Sequence, residues 1–270
     1  MFNGSYEIFE DEQQPHFRRS TLNALTFIPH LHRQYELIYV VEGAMEAHIQ
    51  GTSHLLRAGE LSLALSHQLH SYATREPGRY FMCIFEPELV PQFSDHIRKK
   101  ELGMPYLTDC TIQERQELSL LIDRIFEDRA GELRISGYMT ALLALMAEKT
   151  GVMASQGPQR TSLLQQALTY IAQNYDQDIT LQSAAQALGL SHYYLSRLFN
   201  QQTGYSFPEY MMHFRINHAR GLLMSTDRAI YDIALASGFE CTRSFNRAFV
   251  RVTGMTPTQY RRQAQNQTAP

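Results

Sequence analysis

Residues 179–204 read ITLQSAAQALGLSHYYLSRLFNQQTG, and residues 230–261 read IYDIALASGFECTRSFNRAFVRVTGMTPTQYR. Laid over each other the two stretches repeat with a period of 50 residues: Phe199 matches Phe249, Thr203-Gly204 matches Thr253-Gly254, and Tyr210 matches Tyr260. Upstream, Ala185 sits four residues before Gly189 as Ala234 sits four before Gly238. Each copy parses as helix, glycine turn, helix, one supersecondary unit used twice. In the first, Thr180 can cap a helix whose Leu181, Ala184, Ala185 and Leu188 make one apolar stripe, and Gly189 ends it where a left-handed residue is favoured. Ser191 can cap the next helix, on which Leu195, Leu198 and Phe199 face inward and Tyr193, Ser196, Arg197 and Asn200 are left outside. In the second copy Ile230, Ile233 and Ala234 form the stripe, Gly238 is the turn, Phe245 and Phe249 anchor the next helix, and Thr242, Arg243, Asn246 and Arg247 point outward. Between the copies, Ser206 and Glu209 have capping-box spacing with Pro208 in the first turn, which predicts a long helix through Tyr210, Phe214, Ala219, Leu222 and Leu223.

This is helix-turn-helix geometry, in which the second helix can enter a DNA major groove. Arg197 and Arg247 hold equivalent repeat positions, and an arginine can grip guanine O6 and N7 with two hydrogen bonds, worth about 1–3 kcal/mol of discrimination. An ordinary helical bundle with solvated arginines is the competing reading, opposed by the repeat, the turn glycines and the charge together. The two stretches resemble the tandem helix-turn-helix domain of the AraC/XylS family of bacterial transcription regulators, across about 163–262. GFxxxxxFxRxF followed by TGMTPxxYR makes the resemblance specific. It implies base contact from Tyr193, Ser196 and Arg197 in the first recognition helix, and from Thr242, Arg243, Ser244, Asn246 and Arg247 in the second, in successive grooves on one face of DNA. Some positions depart from the family pattern: Ser183 replaces an acidic capping partner, Ala229 a capping residue, Gly221 interrupts the long helix, and Val250 and Val252 replace basic residues. A less tightly held second unit with weaker phosphate contact is therefore expected.

Charge supports a polyanionic partner for this half. The 270 residues carry a net charge of -3, but residues 1–159 hold 14 bases against 21 acids, whereas residues 160–270 hold 10 bases, all arginine, against 6 acids. The halves are thus -7 and +4, the asymmetry of a nucleic-acid-binding part joined to an acidic one. With 44% apolar and 19% charged residues, disordered and fibrous chains are excluded. No apolar run approaches the roughly 20 residues of a membrane span, and Met1 to Glu12 is acidic where a secretory signal is basic and then hydrophobic. Cys83, Cys110 and Cys241 form neither a disulfide framework nor a zinc pattern. A soluble, cytoplasmic protein in a reducing compartment is expected.

The first half reads differently. From about Leu25 to Phe85 short apolar runs alternate and break at turn residues: Met45, Ala47 and Ile49 before Gln50-Gly51, Leu61, Leu63 and Leu65 after Ala58-Gly59, and Tyr80 to Phe85 after Pro77-Gly78. Several short strands at this spacing predict a small antiparallel barrel or sandwich. Two amphipathic helices follow, at 112–128 (Leu118, Leu121, Ile122, Ile125) and 138–149 (Met139, Leu142, Leu143, Met146), either a dimer surface or a cover for the barrel. The expected organisation is α+β and multidomain: a cupin-like β-barrel with two flanking helices over 1–150, a linker over 151–162, an all-α tandem helix-turn-helix domain over 163–262 with units at about 181–202 and 230–253, and a tail over 263–270.

Within the barrel, His30, His32 and Glu36 form H-x-H-x3-E, and His70 lies downstream. Residues 30 and 32 share parity on a strand, so both imidazoles can face one cavity, and such a set could bind Fe, Mn, Ni or Zn. The spacing resembles the cupin motif, whose residues ligate a metal, although Ala24 replaces its first glycine and His67 a usual proline. Resemblance to the sensing domain of AraC-type regulators instead implies that His30, His32, Glu36 and His70 contact a small effector such as a sugar, without metal or other cofactor; hydrogen bonding that closes the barrel mouth is the plain alternative. His192, His213 and His218 read as surface or packing residues, and Tyr35, Tyr39 and Tyr72 as core. No Gly-rich phosphate loop or GxSxG elbow is present. The function expected is an effector-responsive regulator, an activator of a catabolic or transport operon rather than an enzyme. Its expected partners are double-stranded DNA, a small molecule, RNA polymerase and a second copy of the chain, with no membrane. The alternatives are a metal-dependent cupin enzyme with an accessory helical domain and a chaperone-like adaptor.

Overall fold

A computed structural model of the chain describes residues 17–23, 26–98, 100–127, 130–154 and 163–268. The chain divides into two units between Arg160 and Thr161. In the first, the strands are β1 (Phe17–Leu22), β2 (Thr26–His30), β3 (Tyr35–Ile49), β4 (Thr52–Arg57), β5 (Leu61–Ala64), β6 (His70–Phe85), β7 (Lys100–Leu102), β8 (Tyr106–Leu107) and β9 (Val152–Ala154). The helices are α1 (Pro91–Ile97), α2 (Ile112–Ile125) and α3 (Glu132–Thr150). All pairings are antiparallel, in a seven-stranded sheet of order β1-β6-β3-β5-β8 with β2 on β6 and β4 on β3.

Two long strands replace the several short ones expected. β3 and β6 run alongside each other from Tyr35↔Phe85 to Ile49↔His70, each serving both halves of the barrel. Pro77-Gly78, expected as a turn, lies inside β6, where Glu42 pairs Arg79 and Ala44 pairs Glu76. Gly43, at φ 89°, thus opposes two residues in a β-bulge that bends both strands without ending them. A side chain at Gly78 would meet the Glu42 carbonyl oxygen at 1.9 Å, so the bend is open only to glycine there.

Alternation along β3 sends Tyr35, Leu37 and Tyr39 to one side, where they pack with Leu61, Leu63, Cys83 and Phe85 against α1, α2 and α3. Leu118, Ile122 and Ile125 of α2 and Met139, Leu142, Leu143 and Met146 of α3 belong to this same core. The apolar stripes of the two helices therefore cover the barrel, and they are not available as a dimer surface. α3 begins six residues before the expected 138, with Ile135 buried, while α2 stops at Ile125. α1 was not foreseen. Residues 152–154 of the expected linker are strand, paired with β7, and 155–162 lie outside the described residues.

The second unit comprises α4 (Leu163–Asn174), α5 (Leu181–Ala187), α6 (His192–Thr203), α7 (Phe207–Ser225), α8 (Ile230–Ala236), α9 (Thr242–Thr253) and α10 (Pro257–Thr268). Phe199 packs edge-on to Tyr210 with Phe207 beside it, and Phe249 packs edge-on to Tyr260 with Phe245 beside it, so each copy has its own aromatic anchor. The repeat extends to hydrogen bonds: Thr203 Oγ1 donates to Phe199 O at 2.8 Å and Thr253 Oγ1 to Phe249 O at 2.7 Å. Gly204 and Gly254 close α6 and α9 at the same left-handed φ of 75°. α7 continues through the buried Gly221 without a break.

His218 on α7 lies 3.2 Å from the Tyr175 hydroxyl and 3.2 Å from Ser237 Oγ. Burial, helped by the charge of Arg228, lowers its pKa to about 4. The folded unit keeps this ring neutral while the unfolded chain protonates near pH 6.5, so stability conferred above that pH is lost as pH falls towards 4. A loss of about 2–3 kcal/mol by pH 4.5 is expected. Urea unfolding of the full chain at pH 7 and pH 4.5 measures it. His218→Gln should flatten that difference; an unchanged pH dependence in the variant would refute the assignment.

Candidate functional site

Two sites emerge, one in each unit. In the helical unit, Thr180 Oγ1 accepts from Ser183 N at 3.1 Å and Ser183 Oγ accepts from Thr180 N at 2.9 Å, so serine completes the capping box in place of the acidic residue. Ser191 Oγ accepts from Tyr194 N at 3.2 Å and starts α6. α8, by contrast, has no side-chain cap from Ala229, and α9 none from Cys241. Leu190 N donates to Ala185 O at 2.9 Å and Phe239 N to Ala234 O at 3.0 Å, so both turns close alike around Gly189 (φ 66°) and Gly238 (φ 77°). Ala185 and Ala234 are buried, as close helix approach requires.

These turns set α6 and α9 with one face inward through Leu195, Phe199, Phe245 and Phe249. Tyr193, Ser196, Arg197 and Asn200 are exposed on α6, as are Arg243, Ser244, Asn246 and Arg247 on α9, with Thr242 half-buried. Tyr193 is 76% exposed, so an aromatic ring stands in water on the same helix as Arg197. Ser244 Oγ donates to Cys241 O at 2.8 Å, which uses its hydroxyl proton at the start of α9. Val250 is exposed in the last turn of α9, and Arg251 follows it.

In the barrel, His30 ends β2 directly opposite His70 at the start of β6, and Glu36 is the second residue of β3. His32 lies beyond β2, in the loop before β3, so shared strand parity is not what aligns it with His30. The loop does so instead: His32 Nδ1 is 3.0 Å from Gln34 O, and Nε2 is 3.2 Å from Glu36 Oε2. His70 Nε2 is 3.6 Å from the same oxygen. The His30 and His70 rings lie 4.2 Å apart and those of His32 and His70 4.9 Å apart. His30, Glu36 and His70 are at most 1% exposed and His32 is 8% exposed, so all four are brought together away from water.

Burial, with repulsion from His70, holds His30 well below the usual imidazole range, and burial likewise lowers His32. Burial alone would raise the Glu36 carboxyl, but His32 and His70 facing it outweigh that and hold it well below its usual value. Tyr72 is buried, as its reading as a core residue expects, and it also borders the cluster, together with Ser62, which the sequence did not single out. The Tyr72 phenol is pushed well above its ordinary value by burial and by the charge of Glu36, with Ser62 beside it. Ser62 is a fully buried polar residue between two buried leucines of β5, a further local sign of a polar interior.

Comparison with known proteins adds to this geometry. The family profile of the AraC-like ligand binding domain matches residues 17–146, and that of a helix-turn-helix domain matches residues 184–263. The chain belongs to the AraC/XylS family of transcription regulators. Among its AraC-type relatives, the Melibiose operon regulatory protein of Escherichia coli (strain K12) is 39% identical over 100 residues, 37% of this chain and 33% of that protein. That match spans about a third of the relative's length. The HTH-type transcriptional activator RhaR of Klebsiella pneumoniae is 28% identical over 256 residues, 88% of each chain. ToxT from Vibrio cholerae strain SCE256 superposes with a TM-score of 0.60 at 13% identity, covering 92% of this chain and 97% of that one. That likeness is one of fold, a β-rich first unit followed by a helical second. Among the described residues of this AraC-type chain, no helix is long and apolar enough to cross a membrane.

Proposed function

We propose that the protein is a sequence-specific DNA-binding transcription regulator, an effector-responsive activator of a catabolic or transport operon acting in the cytoplasm. The observation that carries this is the repeated recognition face: α6 and α9 are anchored by matching aromatic cores and present Arg197 and Arg247 at equivalent exposed positions. Tyr193, Ser196, Arg197 and Asn200 would address one major groove, and Thr242, Arg243, Ser244, Asn246 and Arg247 the next. α7 is 19 residues long, which is about 28 Å at 1.5 Å per residue, a spacer of the same order as one DNA turn of about 34 Å. Relatives named for the melibiose operon and as an activator support the regulator reading and a sugar or sugar derivative as effector. His30, His32, Glu36 and His70 are the proposed sensory centre of the barrel. Effector binding there would favour one arrangement of the protein and so change its DNA affinity or its contact with RNA polymerase. The functional unit is proposed to be a homodimer, formed through surfaces other than the buried stripes of α2 and α3.

Genome-wide DNA capture with the purified full-length protein, followed by footprinting, tests the proposal. The expected result is a discrete site with two contacts one helical turn apart beside a promoter for transport or catabolism, with affinity that falls steeply with salt. Absence of any enriched site would reject it. The buried histidines favour one second reading, a metal-dependent cupin enzyme with an accessory helical domain; turnover by metal-loaded protein without DNA enrichment would select it.

A further inference from the structure

The two recognition helices repeat in fold and differ in chemistry. Counting 50 residues from one copy to the other sets Tyr193 against Arg243, Arg197 against Arg247 and Gln201 against Arg251. Each trio is spaced i, i+4, i+8, so its side chains form one ridge along the helix, and all six residues are exposed. The ridge of α9 therefore carries three cations and that of α6 carries one. Val250 and Val252 lie off this ridge, Val252 half-buried, so the loss of basic residues there leaves the line of arginines intact. Glu209 feels the charge of Arg251, yet its carboxylate is engaged by Ser206, by N at 3.1 Å and by Oγ at 2.6 Å, and Arg251 stays exposed.

A recognition helix meets base edges with its first turn. Tyr193 and Arg243 are the second residues of α6 and α9, within that turn. An arginine there selects guanine, whose O6 and N7 accept two hydrogen bonds. A tyrosine ring finds one apolar group on the major-groove edge of a base pair, the C5-methyl of thymine. Tyr193 is 76% exposed in the free protein, so its ring area is still to be buried. At the other end of α9, eight residues of helix carry Arg251 about 12 Å from Arg243. That is about the width of the major groove, so the last turn reaches the phosphate wall when the first turn reaches the bases.

We infer that the two halves of the operator differ in base chemistry: Tyr193 selects a thymine through its methyl group, Arg243 selects a guanine at the equivalent position of the other half, and Arg251 adds a phosphate contact that Gln201 does not match. The inference rests on the DNA-reading function proposed above and names the bases that each unit takes. An operator of this kind is directional although its halves are read by two copies of one fold. It therefore fixes which way round the chain lies beside a promoter.

The experiment uses full-length protein and the operator recovered by the DNA capture described above. Each thymine of the operator is replaced in turn by deoxyuridine, which removes only the C5-methyl group, and binding is followed by fluorescence anisotropy. At one thymine, loss of the methyl is expected to weaken binding of the unmodified protein about fourfold, the worth of one buried methyl group. The same replacement should change nothing for Tyr193→Ala and keep its full effect for Tyr193→Phe, which retains the ring and loses only the hydroxyl. Exchange of the two residues, Tyr193→Arg with Arg243→Tyr, should exchange thymine and guanine at the equivalent positions in a binding selection. Arg251→Ala should reduce the slope of log K against log salt by about one and weaken specific and non-specific binding alike, whereas Gln201→Arg should steepen it by about one without altering base preference. Every substituted residue is exposed, so the variants keep the fold. No methyl effect at any thymine, or one that persists in Tyr193→Ala, would overturn the thymine assignment; equal losses in Tyr193→Phe and Tyr193→Ala would place the hydroxyl on phosphate instead. Unchanged base preference in the exchange variant would overturn the pairing of the two positions, and an unchanged salt slope in Arg251→Ala would remove the phosphate contact. Failure to recover any operator would reject the regulator itself, whereas an operator bound without these signatures would reject this inference alone.

Discussion

Gly238→Ala is expected to destabilise the helical unit by about 3–5 kcal/mol, whereas Gly189→Ala, at the equivalent turn, should cost only about 1–2 kcal/mol. Both glycines adopt left-handed backbone, at φ 77° and 66°, so both substitutions meet the steric penalty of a side chain in that region. Their surroundings differ. A Cβ at Gly189 has no atom within 4 Å, whereas one at Gly238 would lie 2.5 Å from Tyr175 O and 2.9 Å from Arg215 Nε. That oxygen cannot simply retreat, because Arg215 Nε donates to it at 2.8 Å and its NH2 group donates to Gln177 O at 2.7 Å. The Arg215 clamp holds the loop after α4 against the turn of the second repeat, so displacing it also disturbs the charge-assisted bonds. Thermal unfolding of the two full-length variants decides the matter: Gly238→Ala should lower the melting temperature of the helical unit by more than about 10 °C. Equal losses in both would show that the packing of Gly238 on residues 175–177 carries no weight.

The helical repeat was legible because its information is local. Thr180, Ser191 and the Ser206–Glu209 pair mark helix starts within one turn of the residues they cap, and Gly189 and Gly238 mark the stops. Caps and 3.6-residue spacing need no knowledge of partners. The one mismatch, a period of 49 at the turn glycines and 50 at Phe199 and Phe249, is explained by a turn one residue longer between Gly238 and α9 than between Gly189 and α6. The sheet was less legible because its shape depends on pairing. Pro77-Gly78 looks like a turn in sequence and becomes a bulge only because Gly43 lies opposite it on β3. Likewise Val152–Ala154 carries no strand pattern, and pairing with β7 makes it one. The spacing of His30, His32 and Glu36 announced a cluster, but the backbone carbonyls of Ile28, Gln34 and Gln68, which hold the rings of His30, His32 and His70, could not be read from side-chain identities.

The second large effect concerns the recognition face. Arg197→Ala and Arg247→Ala should each weaken operator binding by about 1–3 kcal/mol, or about 5-fold to 150-fold. The double variant should approach the product of the two, because the arginines belong to separate repeats with no shared partner, the condition under which losses add. Among the described residues neither guanidinium has an acidic partner, and both are exposed, so removing them leaves no buried charge to confuse the measurement. Affinity alone cannot separate a base contact from a phosphate contact, since both are lost with alanine. Arg→Lys at the same positions can. Lysine keeps the charge but not the planar fork, so a base-reading arginine loses its preference for one base while keeping most salt-dependent binding. Binding selections on randomised operators with both lysine variants therefore discriminate: relaxed preference at one position per variant places Arg197 and Arg247 on base edges, and retained preference places them on the backbone. Unchanged affinity and preference in both alanine variants would remove α6 and α9 from the groove altogether.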